Sequence, residues 1–189
     1  MKKKEKDTKG RISIDQMRDL LNKKAGAIVA YSLEETNPTD VEDWIPTGSR
    51  WLDSVICRGK LAGIPMGKIV ELAGLEAAGK SYMAAQIAAN AQKKGVDVIY
   101  FDSESAIASD FMTNVGVDIS TLLYVQAKSV EFVLETVEEL LANNQNKMLF
   151  IWDSIAFTPT ETDVEGDFDP QSSMAVKPRI LSKAFSKLI

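Results

Sequence analysis

The chain has 189 residues, 45% hydrophobic and 26% charged, with a net charge of −5; this is the size of one domain with a small appendage, and too apolar for a mostly disordered chain. A single cysteine, Cys57, excludes an internal disulfide framework and suits a reducing, cytoplasmic setting, while the absence of histidine excludes His-based triads and His-bearing zinc sites. No apolar run reaches the ~18 residues of a membrane-spanning helix, and the opening MKKKEKDTKGR has no apolar core behind its charges, so neither a membrane span nor a secretory signal is expected.

Residues 2–11 hold six basic and two acidic side chains and read as a basic disordered tail. Ser13 as cap, Gln16 three residues on, and Ile12 and Met17 at the positions of a hydrophobic staple predict a helix over 12–24. Its apolar stripe is Ile14, Met17, Leu20 and Leu21. After Gly26, Ala27–Tyr31 has strand character, and residues 32–47, with Pro38 and Pro46, read as a linker. Residues 12–47 thus form an arm too small to hold a core; its stripe must dock on the main domain or on another chain.

The main domain is expected over 48–189. Ile69-Val70-Glu71-Leu72-Ala73 reads as a short buried strand, followed by an Ala-rich helix over 80–93 that ends on Lys93, Lys94 and Gly95. Val96–Phe101 and Leu122–Gln126 are further strands, and Ser129 caps a helix with Val130, Val133, Leu134, Val137, Leu140 and Leu141 on one side. Met148–Trp152 is a strand apolar on both faces. Residues 158–174 read as a long mobile loop, with five acids between Glu161 and Asp169. Ile180, Leu181, Ala184, Phe185 and Leu188 mark a last amphipathic helix. Continuous apolar strands alternating with helices predict an α/β fold with a parallel sheet covered on both sides.

Three patterns carry chemistry. Gly74-Leu75-Glu76-Ala77-Ala78-Gly79-Lys80-Ser81 matches G-x-x-x-x-G-K-[ST] between a strand and a helix. There the glycines let backbone N–H groups curl around phosphates, and the new helix adds its positive end. Lys80 places a point charge on the β- and γ-phosphates, and the Ser81 hydroxyl reaches Mg²⁺, so ATP with Mg²⁺ is the expected cofactor pair. Tyr82, the next residue, completes the nucleotide-binding candidates. Asp153, at the C-terminal edge of its strand, suits a metal role through water, with a helix-capping aspartate as the alternative. Glu104, in Asp102-Ser103-Glu104, reads equally as a surface acid and as the base that takes a proton from an attacking water. Phe111 suits either core packing or adenine stacking. Cys57 reads as a small buried or half-buried residue with no partner to make it reactive, and Trp44, Trp51 and Trp152 as packing groups. Lys177, Arg179, Lys183 and Lys187 make a second basic stretch, which fits phosphate contact and a solvated surface alike.

With these residues in place, the chain resembles the RecA family of recombinases, bacterial and phage, from about residue 20 to its end. The likeness includes Ile45-Pro46-Thr47-Gly48-Ser49 with Leu52-Asp53, Gly63–Glu71, Gly74–Ser81, Phe101–Glu104, Val115–Asp118, Asp153-Ser154, Thr158-Pro159 and Glu165-Gly166. The resemblance implies a RecA-type P-loop ATPase core that polymerises on single-stranded DNA as a helical filament and drives strand exchange in recombination and repair. It places Glu104 on the catalytic glutamate, Phe111 at the adenine-stacking position, and residues 165–179 on the first DNA-binding loop. Met174 and Arg179 then fall at DNA contacts, with Lys177 beside them. The arm, with Ile14, Met17, Leu21, Ile28 and Val29, falls on the subunit-docking element. Ala77-Ala78 replaces two serines common in the phosphate loop, and Ala108 stands where an adenine-contacting aspartate is usual, which puts base selectivity in question.

The family's next strand, between the Asp153 strand and the phosphate-loop strand, has no counterpart before Ile189. The expectation is therefore an N-terminal portion of a recombinase: a split gene, an interrupted frame or a truncated version. Its partners are then further copies or a complementary or full-length recombinase chain. A nucleotide-binding module that caps or modulates a full-length filament is the alternative, and a different P-loop ATPase, of the helicase-loading or circadian type, is a third reading.

Overall fold

The computed structural model describes residues 12–32, 34, 40–166 and 175–188, which fall into two compact units, Met1–Glu42 and Asp43–Ile189. The basic tail, Met174 and part of the acidic stretch lie outside the described residues.

In the first unit, helix α1 spans Ile14–Ala25. Ser13 Oγ accepts from Gln16 N–H while the Gln16 side chain accepts from Ser13 N–H, and Gly26 closes the helix in the left-handed region. Ile14, Met17, Leu20 and Leu21 are all exposed. The strand expected over Ala27–Tyr31 does not form. The Asn22 carboxamide instead accepts from Val29 and Ala30 N–H and donates to Ala30 C=O, so a side chain meets the groups a strand partner would meet.

In the second unit, part of the expected linker is ordered. Strand β1 (Trp44–Ile45) pairs antiparallel with β2 (Ile64–Pro65), and helix α2 (Arg50–Ile56), capped by Ser49, lies between them in sequence. Gly63 sits at φ +107, and a Cβ there would lie 2.1 Å from Ile45 C=O, so only glycine fits. Asp53 is buried and accepts from Thr47 N–H and Oγ–H, tying α2 to the segment after β1. Trp51, read above as a packing group, is 80% exposed; it stands on the outer face of α2, where the short helix buries Asp53 instead.

The main sheet is parallel, in the order β4-β3-β5, with β3 at Asp97–Asp102, β4 at Leu122–Gln126 and β5 at Met148–Asp153. Period-two alternation sends β3 residues to opposite faces. Val98 and Tyr100 pack with α3 (Lys80–Lys93), α4 (Ser109–Val115) and Leu149 and Ile151 of β5. Ile99 and Phe101 pack on the other face with Val133 and Val137 of α5 (Val130–Asn143) and with Phe150 and Trp152. Two covered faces explain why these strands read as unbroken apolar runs. Helix α3 supplies Ala84, Ala85, Ala88, Ala89 and Ala91 to the core; small side chains let it lie close to the sheet.

Residues 69–75 run without strand pairing, with Ile69, Val70 and Leu72 exposed. The buried strand expected there is absent because, among the described residues, no strand lies alongside, and the far edge of β5 has none either. The expected loop over 158–174 is also corrected for 158–166. Thr158 and Thr160 are buried, and a helix, α6 (Glu161–Glu165), is closed by a reciprocal cap between Thr160 and Asp163. Trp152 Nε1–H donates to Thr158 Oγ1, and Val130 N–H to Pro159 C=O. Helix α7 (Val176–Leu188) half-buries Ile180, Leu181, Ala184, Phe185 and Leu188 and packs on α5, with an ion pair between Lys187 and Glu138.

Candidate functional site

Helix α3 connects through a short turn at Lys94–Val96 to the start of β3. Its C-terminus is therefore at the N-terminal edge of the sheet, and its N-terminus, with the Gly74–Ser81 loop, points back to the C-terminal edge. The loop is exposed and carries Ala77 at φ +56 and Gly79 at φ +87. Gly79 is the N-cap and offers no side-chain cap, so the first-turn amides of α3 have no competing side-chain acceptor. Lys80 Nζ donates to Gly74 C=O at 3.0 Å and Leu75 C=O at 2.8 Å, lying across the loop. Ser81 is half-buried in the same turn.

The exposed Tyr82 ring meets Phe111 edge-on, with centroids 6.4 Å apart. Phe111 is half-buried against the α3–α4 core, so its packing role is directly visible, at the margin of the loop-bearing helix.

The C-terminal edge of the sheet brings the acids together. Asp102 and Asp153 are register partners at the ends of β3 and β5. Asp153 Oδ2 accepts from the Tyr100 hydroxyl at 2.9 Å, and Asp153 C=O accepts from Ser103 N–H. Ser103 Oγ donates to Ser154 C=O and accepts from Ser154 N–H, extending the link one residue further. Ser154 Oγ–H reaches Glu104 Oε1 at 3.4 Å, so Glu104 and the Asp153 segment are neighbours. Glu104 is otherwise exposed.

Asp102 is 1% exposed and holds the turn that carries Glu104. Its Oδ1 accepts from Glu104 N–H, and its Oδ2 from Ile107 N–H and the Tyr124 hydroxyl. Burial and the neighbouring Asp153 carboxylate push the Tyr100 phenol well above the ordinary tyrosine range. Burial and the Asp102 hydrogen bond push Tyr124 in the same direction. The sequence reading gave no role to Tyr100, Asp102, Ser103 or Tyr124. The available signal was a tyrosine inside an apolar strand, whose polar tip must find a partner when buried.

The DNA-contact candidates are less concentrated. Lys177 Nζ donates to Ile155 and Ala156 C=O, fastening α7 to the turn after β5, whereas Arg179 is exposed on α7. The docking candidates Ile14, Met17, Leu21, Ile28 and Val29 are exposed in the first unit. Among the described residues no helix is long and apolar enough to cross a membrane, and no three Asp, Glu, Cys or His residues form a metal cage.

The model of the RecA N-terminal domain matches residues 13–189. The chain belongs to the RecA family. It is 33% identical over 186 residues to a protein from Bifidobacterium longum named Protein RecA, covering 98% of this chain and 45% of the relative. A second Protein RecA, from a Nitratiruptor species, is 36% identical over 163 residues, covering 86% and 45%. A third, from Ruminococcus albus, is 33% identical over 196 residues, covering 99% and 48%. The chain thus spans about half the length of the curated relatives it matches, along their N-terminal RecA domain.

Proposed function

We propose that this RecA-family chain carries a P-loop nucleotide site, binds ATP with Mg²⁺, and serves ATP-dependent recombination and repair by assembling with further recombinase subunits on single-stranded DNA. The observation that supports the reading is a glycine-capped helix start with Lys80 and Ser81 in its first turn, on a helix that packs against the sheet whose β3 and β5 ends carry Asp102 and Asp153, with Ser154 reaching Glu104. The donor set suits a triphosphate. Backbone amides at the α3 start and the Lys80 ammonium favour anionic oxygens. The Ser81 hydroxyl and the Asp153 carboxylate are hard oxygen ligands of the kind Mg²⁺ takes, directly or through water. Bound there, Mg²⁺ supplies charge neutralisation to the phosphate oxygens.

Each residue then has a task. Lys80 leaves the Gly74 and Leu75 carbonyls and turns to phosphate. Glu104, held by Asp102 at its amide, accepts a hydrogen bond and then a proton from the attacking water. Phe111, with Tyr82 beside it, offers an apolar wall to the base. Arg179 and Met174 contact the DNA, Lys177 braces the helix that presents Arg179, and the exposed stripe of α1 with Ile28 and Val29 docks on a neighbouring subunit.

The experiment is ATP turnover with and without single-stranded DNA, for wild type and Glu104→Gln, alone and mixed with a full-length RecA. DNA-stimulated turnover that Glu104→Gln abolishes, with ATP binding kept, supports the reading. Nucleotide binding without turnover, together with arrest of the full-length protein's filament, supports the capping module instead.

A further inference from the structure

Tyr100 is a bulky polar residue at the centre of β3, 0% exposed, between an apolar core and the candidate metal carboxylate. It belongs to the hydrophobic cluster that includes Val98 and the alanines of α3, with Ile151 packed against it, while its hydroxyl reaches across to the neighbouring strand and donates to Asp153 Oδ2 at 2.9 Å. β3 and β5 are in parallel register, so Tyr100 sits opposite Ile151, two residues before Asp153. A phenol on a rigid ring, anchored in a packed core, has little freedom to follow a moving carboxylate. The reverse holds: the carboxylate is set by the phenol. One Asp153 oxygen is thereby engaged, and Oδ1 is the oxygen left for other partners.

We infer that Tyr100 is a positioning residue that fixes the Asp153 carboxylate for Mg²⁺, a role that rests on the nucleotide-site reading above. The backbone of Asp153 is already held by Ser103 N–H and by the Ser103–Ser154 pair, so only the side-chain torsion remains to be set. Tyr100 sets it. Outer hydrogen bonds of this kind orient metal-binding carboxylates and are worth about tenfold or more in metal affinity. Tyr124 provides an internal control, because its hydroxyl donates at 2.9 Å to the other carboxylate of the same edge, Asp102.

The test is calorimetric titration of ATP into the intact chain across a Mg²⁺ series, for wild type, Tyr100→Phe and Tyr124→Phe, with thermal unfolding of each. The expected result is a rise of about tenfold in the Mg²⁺ concentration that gives half-maximal tightening in Tyr100→Phe. Its affinity for ATP in EDTA stays at the wild-type value, and Tyr124→Phe keeps the wild-type Mg²⁺ dependence. An unchanged Mg²⁺ dependence in a folded Tyr100→Phe, or an equal shift in both variants, overturns the inference while leaving the nucleotide site intact. A wild type that binds ATP with no response to Mg²⁺ overturns both the metal role of Asp153 and this inference.

Discussion

Replacing Asp102 by asparagine keeps the shape of the side chain and removes half of its accepting capacity. In the native chain Oδ1 receives Glu104 N–H at 2.9 Å, and Oδ2 receives Ile107 N–H at 3.2 Å and the Tyr124 hydroxyl at 2.9 Å. A carboxamide offers one oxygen and one NH₂ to the same three donors. Whichever way it turns, at least one backbone N–H of the Ser103–Ile107 turn faces an N–H₂ group at a site that is 1% exposed. The hydroxyl can rotate to accept, but the amide cannot. An unsatisfied buried donor costs about 1–3 kcal/mol, and hydrogen bonds to a charged group run at the upper end, so a loss of about 2–4 kcal/mol is expected. With a urea dependence of about 2 kcal/mol per molar, the middle of the range for small proteins, the unfolding midpoint falls by roughly 1–2 M. Hydrogen exchange at the Glu104 and Ile107 amides accelerates in parallel, and the Glu104 side chain loses its fixed approach to Ser154. A midpoint within about 0.2 M of wild type, with both amides still protected, would refute the reasoning, because that small a shift is below the cost of one orphaned donor.

Asp43 accepts from Lys94 at 2.6 Å and from Lys147 at 2.9 Å, and these ammonium groups hold its carboxyl well below the usual carboxylate range. Its contribution is present above the ordinary aspartate value of about 4 and fades as pH falls below it; Asp43→Asn is therefore less stable than wild type at neutral pH, and the two denaturation curves converge in acid. Gly63→Ala forces a methyl to 2.1 Å from Ile45 C=O at φ +107, so the β1–β2 pair is expected to break and the domain to lose more than about 2 kcal/mol, read by thermal unfolding. Leu181→Asp places a charge in the half-buried face by which α7 meets α5, and is expected to release α7, seen as fast proteolysis near residue 175 with the remaining core intact.

Strands β3 and β5 were legible because both of their faces are packed. Val96–Phe101 and Met148–Trp152 read as strands from apolarity alone, and the caps Ser13 and Ser129 marked their helices. Ile69–Ala73 has the same composition but forms no ladder, since pairing requires a neighbour that composition does not report. Ala27–Tyr31 failed for a related reason: the side chain of Asn22, on the preceding helix, takes the backbone groups of Val29 and Ala30. The two-residue strands β1 and β2 were hidden between prolines and depend on Gly63, whose close approach to Ile45 is a long-range fact. The cap of α6 was written in Thr160 and Asp163, where the density of acids and the flanking prolines pointed to a loop. At the site, the loop Gly74–Ser81 and Asp153 followed from spacing. The support beneath them did not, because Tyr100, Asp102 and Tyr124 acquire their roles only when three strands bring one edge together.

Isothermal titration of Mg²⁺·ATP into the wild-type chain and into Lys80→Ala reaches the central claim most directly. Saturable one-to-one uptake by wild type, weakened by about 10- to 100-fold in Lys80→Ala as expected for losing a charge-assisted contact to phosphate, is the predicted result. Absence of uptake by a folded wild type, or equal affinity in a folded Lys80→Ala, would contradict it.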